Sequence, residues 1–236
     1  MKDVAGRPLV LRCLERAVAM EGVDEVILAT TNFPEDRELL SVAGEWGVQG
    51  FAGNADDVLD RYYQAAVWQE AEVVMRLTGD CPLLDPKTSS SVLRRFDQGG
   101  LDYASNTLQP TFPDGLDTEV FTFQALRTAW YEAELRSDRE HVTQFIVRQP
   151  ERFRVTNVAN QTDLSNHRWT VDELEDLEFV REVYRGLQNR GLTGHDFHEV
   201  LKVIEEDGLQ DASNRYRRNE GLLQSLREDS SAGSTT

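Results

Sequence analysis

The sequence predicts an α/β fold in which a mostly parallel sheet carries helices on both faces. Two observations point there. Near-continuous apolar runs of strand length alternate with segments of helical apolar spacing through the amino-terminal third, the order that helical crossovers between parallel strands produce. The chain has 236 residues, 39% of them hydrophobic, enough to bury a sizeable core, while no apolar run approaches the length that spans a bilayer.

The elements follow in order. Residues 9–20 place Leu11, Leu14, Ala17 and Val18 at helical spacing. Residues 25–31 (Glu-Val-Ile-Leu-Ala-Thr-Thr) read as a buried strand, 35–46 as a second helix and 48–51 as a short extended piece. A helix then runs to about residue 70, burying Leu59, Tyr62, Tyr63 and Ala66. The apolar run 72–77 is another buried strand, and it ends in Thr78-Gly79-Asp80-Cys81-Pro82-Leu83. In the second half, 102–106 and 118–123 look like strands, 124–136 and 138–149 like helices, and 153–158 and 167–171 like the last strands. Helices are expected at 173–188 and 196–206. Residues 1–226 are read as a single domain, and the small polar end, 227–236, as a disordered tail.

The formal net charge of −17 argues against general nucleic-acid binding, because a polyanion is repelled over most of the surface. Positive charge comes almost entirely from arginine, with lysine only at Lys2, Lys87 and Lys202. An anionic substrate therefore needs local arginines or a metal ion. Met1-Lys2-Asp3-Val4-Ala5-Gly6 has no apolar core of a signal peptide, and Cys13 and Cys81 read as free thiols; together these place the expected protein in the cytoplasm, off the membrane.

Ligands of open α/β sheets bind outside the carboxyl ends of the strands, and two carboxylates stand at such ends. Asp80 follows the strand at 72–77, and Asp172 follows Arg168-Trp169-Thr170-Val171. Converging there, they suit Mg²⁺, a hard cation that prefers oxygen and accompanies phosphates. Gly79 lets a ligand approach the backbone closely. Each also has a bland reading: Asp80 organises a turn, and Asp172 with Glu175 forms a capping box. Ser137 and Glu140 can form another, leaving Arg139 and His141 unexplained. Arg61 faces a ligand or only solvent. His195 and His198, without a third ligand, read as structural, and Trp46, Trp68 and Trp130 as core. There is no dinucleotide fingerprint, no phosphate-loop lysine motif, no nucleophile elbow and no D-x-D triplet.

Several segments, taken in order, resemble one family. They are Ala5-Gly6-Arg7-Pro8-Leu9, Leu28-Ala29-Thr30-Thr31, Asp56-Asp57-Val58-Leu59-Asp60-Arg61-Tyr62 and the run Arg76 to Pro86. Phe112-Pro113-Asp114-Gly115-Leu116-Asp117, Arg139-Glu140-His141-Val142-Thr143, Arg168-Trp169-Thr170-Val171-Asp172 and Arg218-Asn219-Glu220-Gly221 complete the set. The pattern is similar to the spore-coat polysaccharide biosynthesis protein F group, among the cytidylyltransferases that make CMP-activated acidic sugars, such as the acylneuraminate and Kdo enzymes. That resemblance implies a Rossmann-like three-layer α/β/α nucleotidyltransferase fold and attack of a sugar hydroxyl on the α-phosphate of CTP. It implies Asp80 and Asp172 as catalytic, Mg²⁺-binding carboxylates. Arg61, Asp57, Gly79 and Asp80 would lie at the nucleotide, and Arg139, His141 and Asp117 at the sugar. A homodimer is a frequent assembly of such enzymes. The chain departs from the pattern at its start, which aligns after the usual first, central strand and its triphosphate-binding loop. The expectation is a sheet lacking that strand and no CTP-dependent pyrophosphate release; a non-catalytic sugar- or nucleotide-binding protein and a glycosyltransferase of similar fold are the alternatives.

Overall fold

Apolar runs that cannot be left in water become strands, and the amphipathic segments between them become the helices that carry the chain back. The computed structural model describes residues 2–213 and 215–232. β1 (Asp3–Val4) and β2 (Arg7–Pro8) form a small antiparallel hairpin. Pro8 then opens α1 (Leu9–Ala17), whose Val10, Leu11 and Leu14 are buried. β3 (Ile27–Thr31) and β4 (Gln49–Gly53) pair in parallel, with Ile27 opposite Gln49, and α2 (Arg37–Glu45) joins them. Next come α3 (Val58–Trp68) and β5 (Val73–Arg76).

The second half adds α4 (Pro86–Asp97), β6 (Tyr103–Ser105), β7 (Glu119–Thr122), α5 (Phe123–Glu132), α6 (Arg136–His141), α7 (Gln144–Val147) and β8 (Val155–Asn157). β7 runs antiparallel to both β5 and β6, and β6 is parallel to β8. β5 and β6 therefore point the same way, and β7 is the reversed strand. α8 (Leu174–Arg190), α9 (Phe197–Asp207) and α10 (Glu220–Ala232) follow. Trp169, Val180, Val183, Leu187 and Val200 form one core cluster under α8 and α9, and Leu59, Tyr103, Phe121, Leu126 and Ile146 form another beneath α3 and α5. No helix among the described residues is long and apolar enough to cross a membrane.

Among the described residues β3 and β5 are not bonded to one another: β3 pairs with β4 and β5 with β7. Their other edges border a common cavity of about 640 Å³, where the sequence reading leaves out a central strand.

Several elements differ from expectation. α4 was not expected, because Thr88, Ser89, Ser90 and Ser91 disguise it. Asp85 caps it by accepting from Lys87 N (2.9 Å), and Val92, Leu93 and Phe96 form its buried stripe. The helix read at 138–149 breaks at Val142, which sits in a γ-turn (φ +62°, ψ −55°) with Thr143 N donating to His141 O at 2.6 Å. Ser137 lies inside α6 rather than capping it, and Leu135 takes the cap position. The capping acid pair of α8 is Glu173 with Asp176, one residue later than Asp172 with Glu175. Segment 167–171 contributes only a bridge between Asp114 and Arg168. Trp46 and Trp68 are exposed rather than core, one under the Arg7 guanidinium and the other tilted against Phe51. Residues 227–232, read as tail, continue α10, because Glu228 and Asp229 find partners on α6; 233–236 lie outside the described residues.

Candidate active site

The end of β5 and the segment after Arg168 meet through the backbone. Val171 N donates to Asp80 O at 2.9 Å, so the backbones that carry the two carboxylates singled out in the sequence, Asp80 and Asp172, run together beyond the end of β5. Asp80 is half-buried and Asp172 exposed. Gly79 is exposed, and a Cβ built there meets nothing within 4 Å, so the backbone before Asp80 is open to a ligand.

Arg168 organises the floor of this corner. Its guanidinium donates to Asp176 (2.9 and 2.8 Å) and to Asp172 (2.7 Å), and it lies 3.6 Å from Asp114. The Asp176 side chain is fully buried. Burial alone pushes its pKa upward, but Arg168 and the backbone N–H groups of Glu173 and Asp172 outweigh that and hold the carboxyl below its ordinary range. Asp172 thus keeps one oxygen on Arg168 and presents the other outward. The sequence marked Arg168 only as part of a motif. Its partner Asp114 lies on the opposite arm of the bridge, a contact no local pattern encodes.

Asp117 stands on the next loop and pairs with Arg218, which also donates to Phe112 O (3.0 Å) and lies 3.8 Å from Asp114. Desolvation raises the Asp117 pKa to about 7, with Asp114 and Glu119 adding to the rise and Arg218 opposing it. Burial likewise raises Asp114, helped by the nearby charges of Asp172 and Asp80. These neighbours put Asp80, Asp114, Asp117 and Asp172 in one acidic corner whose charge Arg168 and Arg218 offset only in part. Gly115 (φ +106°) permits it: a Cβ there would come within 2.8 Å of the Trp169 carbonyl carbon.

Arg139 and Asp57, expected at sugar and nucleotide respectively, are brought together. Arg139 Nε and Nη2 both donate to Asp57 Oδ2, and Nη1 donates to Trp130 O. Asp57 at the same time caps α3 by accepting from Asp60 N at 2.8 Å. Arg61, one turn into α3, donates to Asn54 O (2.6 Å), while its buried Nε has no partner among the described residues; burial lowers its pKa. His141 points to α10, with Nε2 3.1 Å from Ser225 Oγ, and burial lowers its pKa. Glu119, missed in the sequence, is a buried hub that accepts from Tyr103 OH (2.7 Å), Arg76 and Thr143. A lone glutamate in the apolar run 118–123 was its only signal.

Cys13 and Cys81 are free and buried; desolvation pushes the Cys13 thiol up to about 12 and the Cys81 thiol well above its ordinary value, which favours the neutral thiol at both. His198 pairs with Asp196, the cap of α9, consistent with a structural role. Among the described residues no group of three or more His, Cys, Asp or Glu side chains is arranged to hold a metal ion. The protein can offer an ion at this corner the oxygens of Asp80 and the free oxygen of Asp172, which matches Mg²⁺, a cation that takes one or two carboxylates and completes its shell with phosphate and water.

Known proteins resemble this chain over most of its length. A solved structure of a cytidylyltransferase from Leptospira borgpetersenii serovar Hardjo-bovis superposes with a TM-score of 0.79 at 28% identity, covering 87% of this chain and 86% of that one. The spore coat polysaccharide biosynthesis protein SpsF of Bacillus subtilis is 29% identical over 181 residues, 75% of this chain and 74% of that protein. A 3-deoxy-manno-octulosonate cytidylyltransferase of Anaeromyxobacter sp. (strain Fw109-5) is 31% identical over 120 residues, 50% of this chain and 47% of that protein. The cytidylyltransferase family profile matches residues 1–203, and with the strand-end carboxylates and the α/β sheet already in place, the chain belongs to the cytidylyltransferase family.

Proposed function

We propose that this enzyme transfers the cytidylyl group of CTP to an acidic sugar, releasing pyrophosphate, in the supply of activated sugars for a cell-surface polysaccharide. The observation that carries the reading is the Val171 N to Asp80 O bond, which seats two carboxylates beside an open glycine backbone at the carboxyl end of the sheet. A 3-deoxy-manno-octulosonate cytidylyltransferase matches over 50% of the chain and a spore coat polysaccharide biosynthesis protein over 75%, and this supports an acidic sugar.

In this reading Asp80 and the free oxygen of Asp172 hold Mg²⁺, which when bound neutralises charge on the phosphates. Gly79 lets the phosphate chain lie against the backbone. Arg168 fixes the rotamer of Asp172 by occupying its second oxygen. Asp117, with a pKa of about 7, is suited to accept a proton or hydrogen bond from a sugar hydroxyl as the new phosphorus–oxygen bond forms and the bond to pyrophosphate breaks. Arg139 is committed to Asp57, so its part is to fix the end of α3 beside Arg61, and it reaches a sugar carboxylate only by releasing that partner.

A thermal-shift panel of CTP, UTP and GTP with Mg²⁺ tests the nucleotide, since a ligand stabilises in proportion to its occupancy of the native state. CTP is expected to give the largest shift, and Asp172→Asn to remove the Mg²⁺-dependent part without lowering the unliganded Tm. Equal shifts for the three nucleotides would refute the cytidylyl reading. Pyrophosphate release, which the sequence reading does not expect of these residues alone, then shows with candidate acidic sugars whether residues 1–236 suffice for turnover and, where they do, identifies the acceptor. A homodimer belongs to the same reading, and light scattering checks it.

A further inference from the structure

The run Arg218-Asn219-Glu220-Gly221 launches a helix beside the acidic corner. Asn219 takes a positive φ of 58°, a conformation that asparagine tolerates better than most residues. Leu223 N then donates to Asn219 O at 3.0 Å, so the chain turns from Arg218, held on Asp117, straight into α10. Within that helix Ser225 is buried. Its hydroxyl lies 3.1 Å from His141 Nε2, 3.0 Å from Glu140 Oε2 and 3.0 Å from Gly221 O. One segment thus touches both Asp117 and His141, two of the residues expected at the sugar.

The Ser225 hydroxyl has a single hydrogen to place among these neighbours. Glu140 Oε2 and Gly221 O only accept, and an oxygen facing Oγ with no hydrogen between sets lone pair against lone pair. Giving the hydrogen to His141 leaves two such contacts. Giving it to either oxygen leaves one, and lets His141 donate from Nε2 to Oγ. Burial lowers the His141 pKa, Arg76 acts in the same sense, and Glu140, Glu119 and Asp229 oppose it. Above pH 7 the ring is therefore neutral and carries one proton. We propose that Ser225 is a positioning residue: it holds the His141 proton on Nε2 and leaves Nδ1 as the acceptor for a hydroxyl of the bound sugar, a different hydroxyl from the one that faces Asp117. Nδ1 takes no hydrogen bond among the described residues and is not one of their buried unpaired atoms, so a ligand reaches it. The ring also stands near the end of the sheet. Arg76 and Glu119, whose charges act on it, face each other across β5 and β7, the strands next to Asp80 and Asp117. Thr143 donates to Glu119 and fixes the γ-turn that follows the ring. The sugar half of this inference rests on the proposed reaction; the placement of the proton does not.

The test uses the 236-residue chain labelled with nitrogen-15 at its four histidines, with His141 identified by the resonances lost in His141→Gln. At about pH 8 Nδ1 of His141 is expected to resonate as an unprotonated ring nitrogen and Nε2 as a protonated one. Ser225→Ala should mix the two tautomers, and Ser225→Thr, which keeps a hydroxyl, should restore the parent pattern. A side chain that only latched α10 to α6 would move neither. The sugar probes are N-acetylneuraminate, glucuronate and galacturonate, each with CTP and Mg²⁺. At least one is expected to shift Nδ1, and Ser225→Ala to weaken its binding about tenfold, the worth of one hydrogen bond. A proton on Nδ1 in the parent, an unchanged tautomer in Ser225→Ala, a Ser225→Thr pattern like that of Ser225→Ala, or no shift of Nδ1 with any of the three sugars would overturn the proposal. Equal thermal shifts with CTP, UTP and GTP would strike the cytidylyl reading and leave the tautomer as found.

Discussion

Arg139 grips Asp57 with two of its nitrogens, tying α6 to the first turn of α3 across 82 positions of sequence. The same carboxylate caps α3, so one side chain both ends a helix and anchors another. Each partner is 24% exposed, shielded enough for the pair to matter. A double-mutant cycle with Arg139→Met and Asp57→Asn in urea is expected to give a coupling of ~1–2 kcal/mol. A coupling near zero would mean that solvent screens the contact.

Arg168→Met strands the buried Asp176 carboxylate without its counter-ion. Breaking such a pair on one side costs ~3–5 kcal/mol, a loss readable in chemical denaturation. Arg168→Lys should recover only a minor part, because an ammonium cannot fork to Asp176 and Asp172 together.

Asp117 makes stability depend on pH in a definite direction. Its folded pKa of about 7 lies above the unfolded value of 3.8, so its contribution is fully present below pH 3.8 and is lost as pH rises through 7. Asp117→Asn removes that dependence. The Tm of the variant relative to the parent should therefore rise between pH 4 and 7, by up to ~1.4 kcal/mol per pH unit or ~3–5 °C. A constant difference across the range would show that Arg218 keeps the carboxyl ionised throughout.

Two glycines separate a structural from a functional role. Gly115→Ala drives a methyl into the Trp169 backbone at positive φ and should cost upwards of ~2 kcal/mol. Gly79→Ala meets open space and should leave stability within ~1 kcal/mol while reducing the CTP-dependent thermal shift. An unaltered shift would remove Gly79 from the nucleotide site.

Where a single physical demand dominates a segment, the sequence discloses the structure. β3 and β5 are near-continuous apolar runs and do form strands, but the structure leaves them mostly half-buried, with Val73 exposed, along the edges that line the cavity. Asp80 was singled out as the carboxylate beyond a strand, and it does follow β5; Asp172 was singled out on the same ground, but the segment before it, 167–171, makes only a bridge. α4 was obscured by Ser89 and Ser90, which are buried yet polar; the Ser89 hydroxyl lies 2.8 Å from that of Thr118, a long-range contact that periodicity cannot anticipate. Arg139 and His141 were legible as unexplained residues, but their partners Asp57 and Ser225 lie 82 and 84 positions away. Trp46 and Trp68 misled because side-chain size argues for burial, whereas each needs only one flat neighbour to sit at the surface.

Helix α10 has a consequence for how the molecule matures. It docks on α6 through Ser225 against His141, Glu228 against Arg136 and Asp229 against the Ser137 amide. In order of synthesis α10 follows every other described element, so the His141 ring and the Ser137 amide wait for their partners Ser225 and Asp229 until α10 has been made. A nascent chain stalled before those codons would carry α6 without the three contacts that latch it to α10.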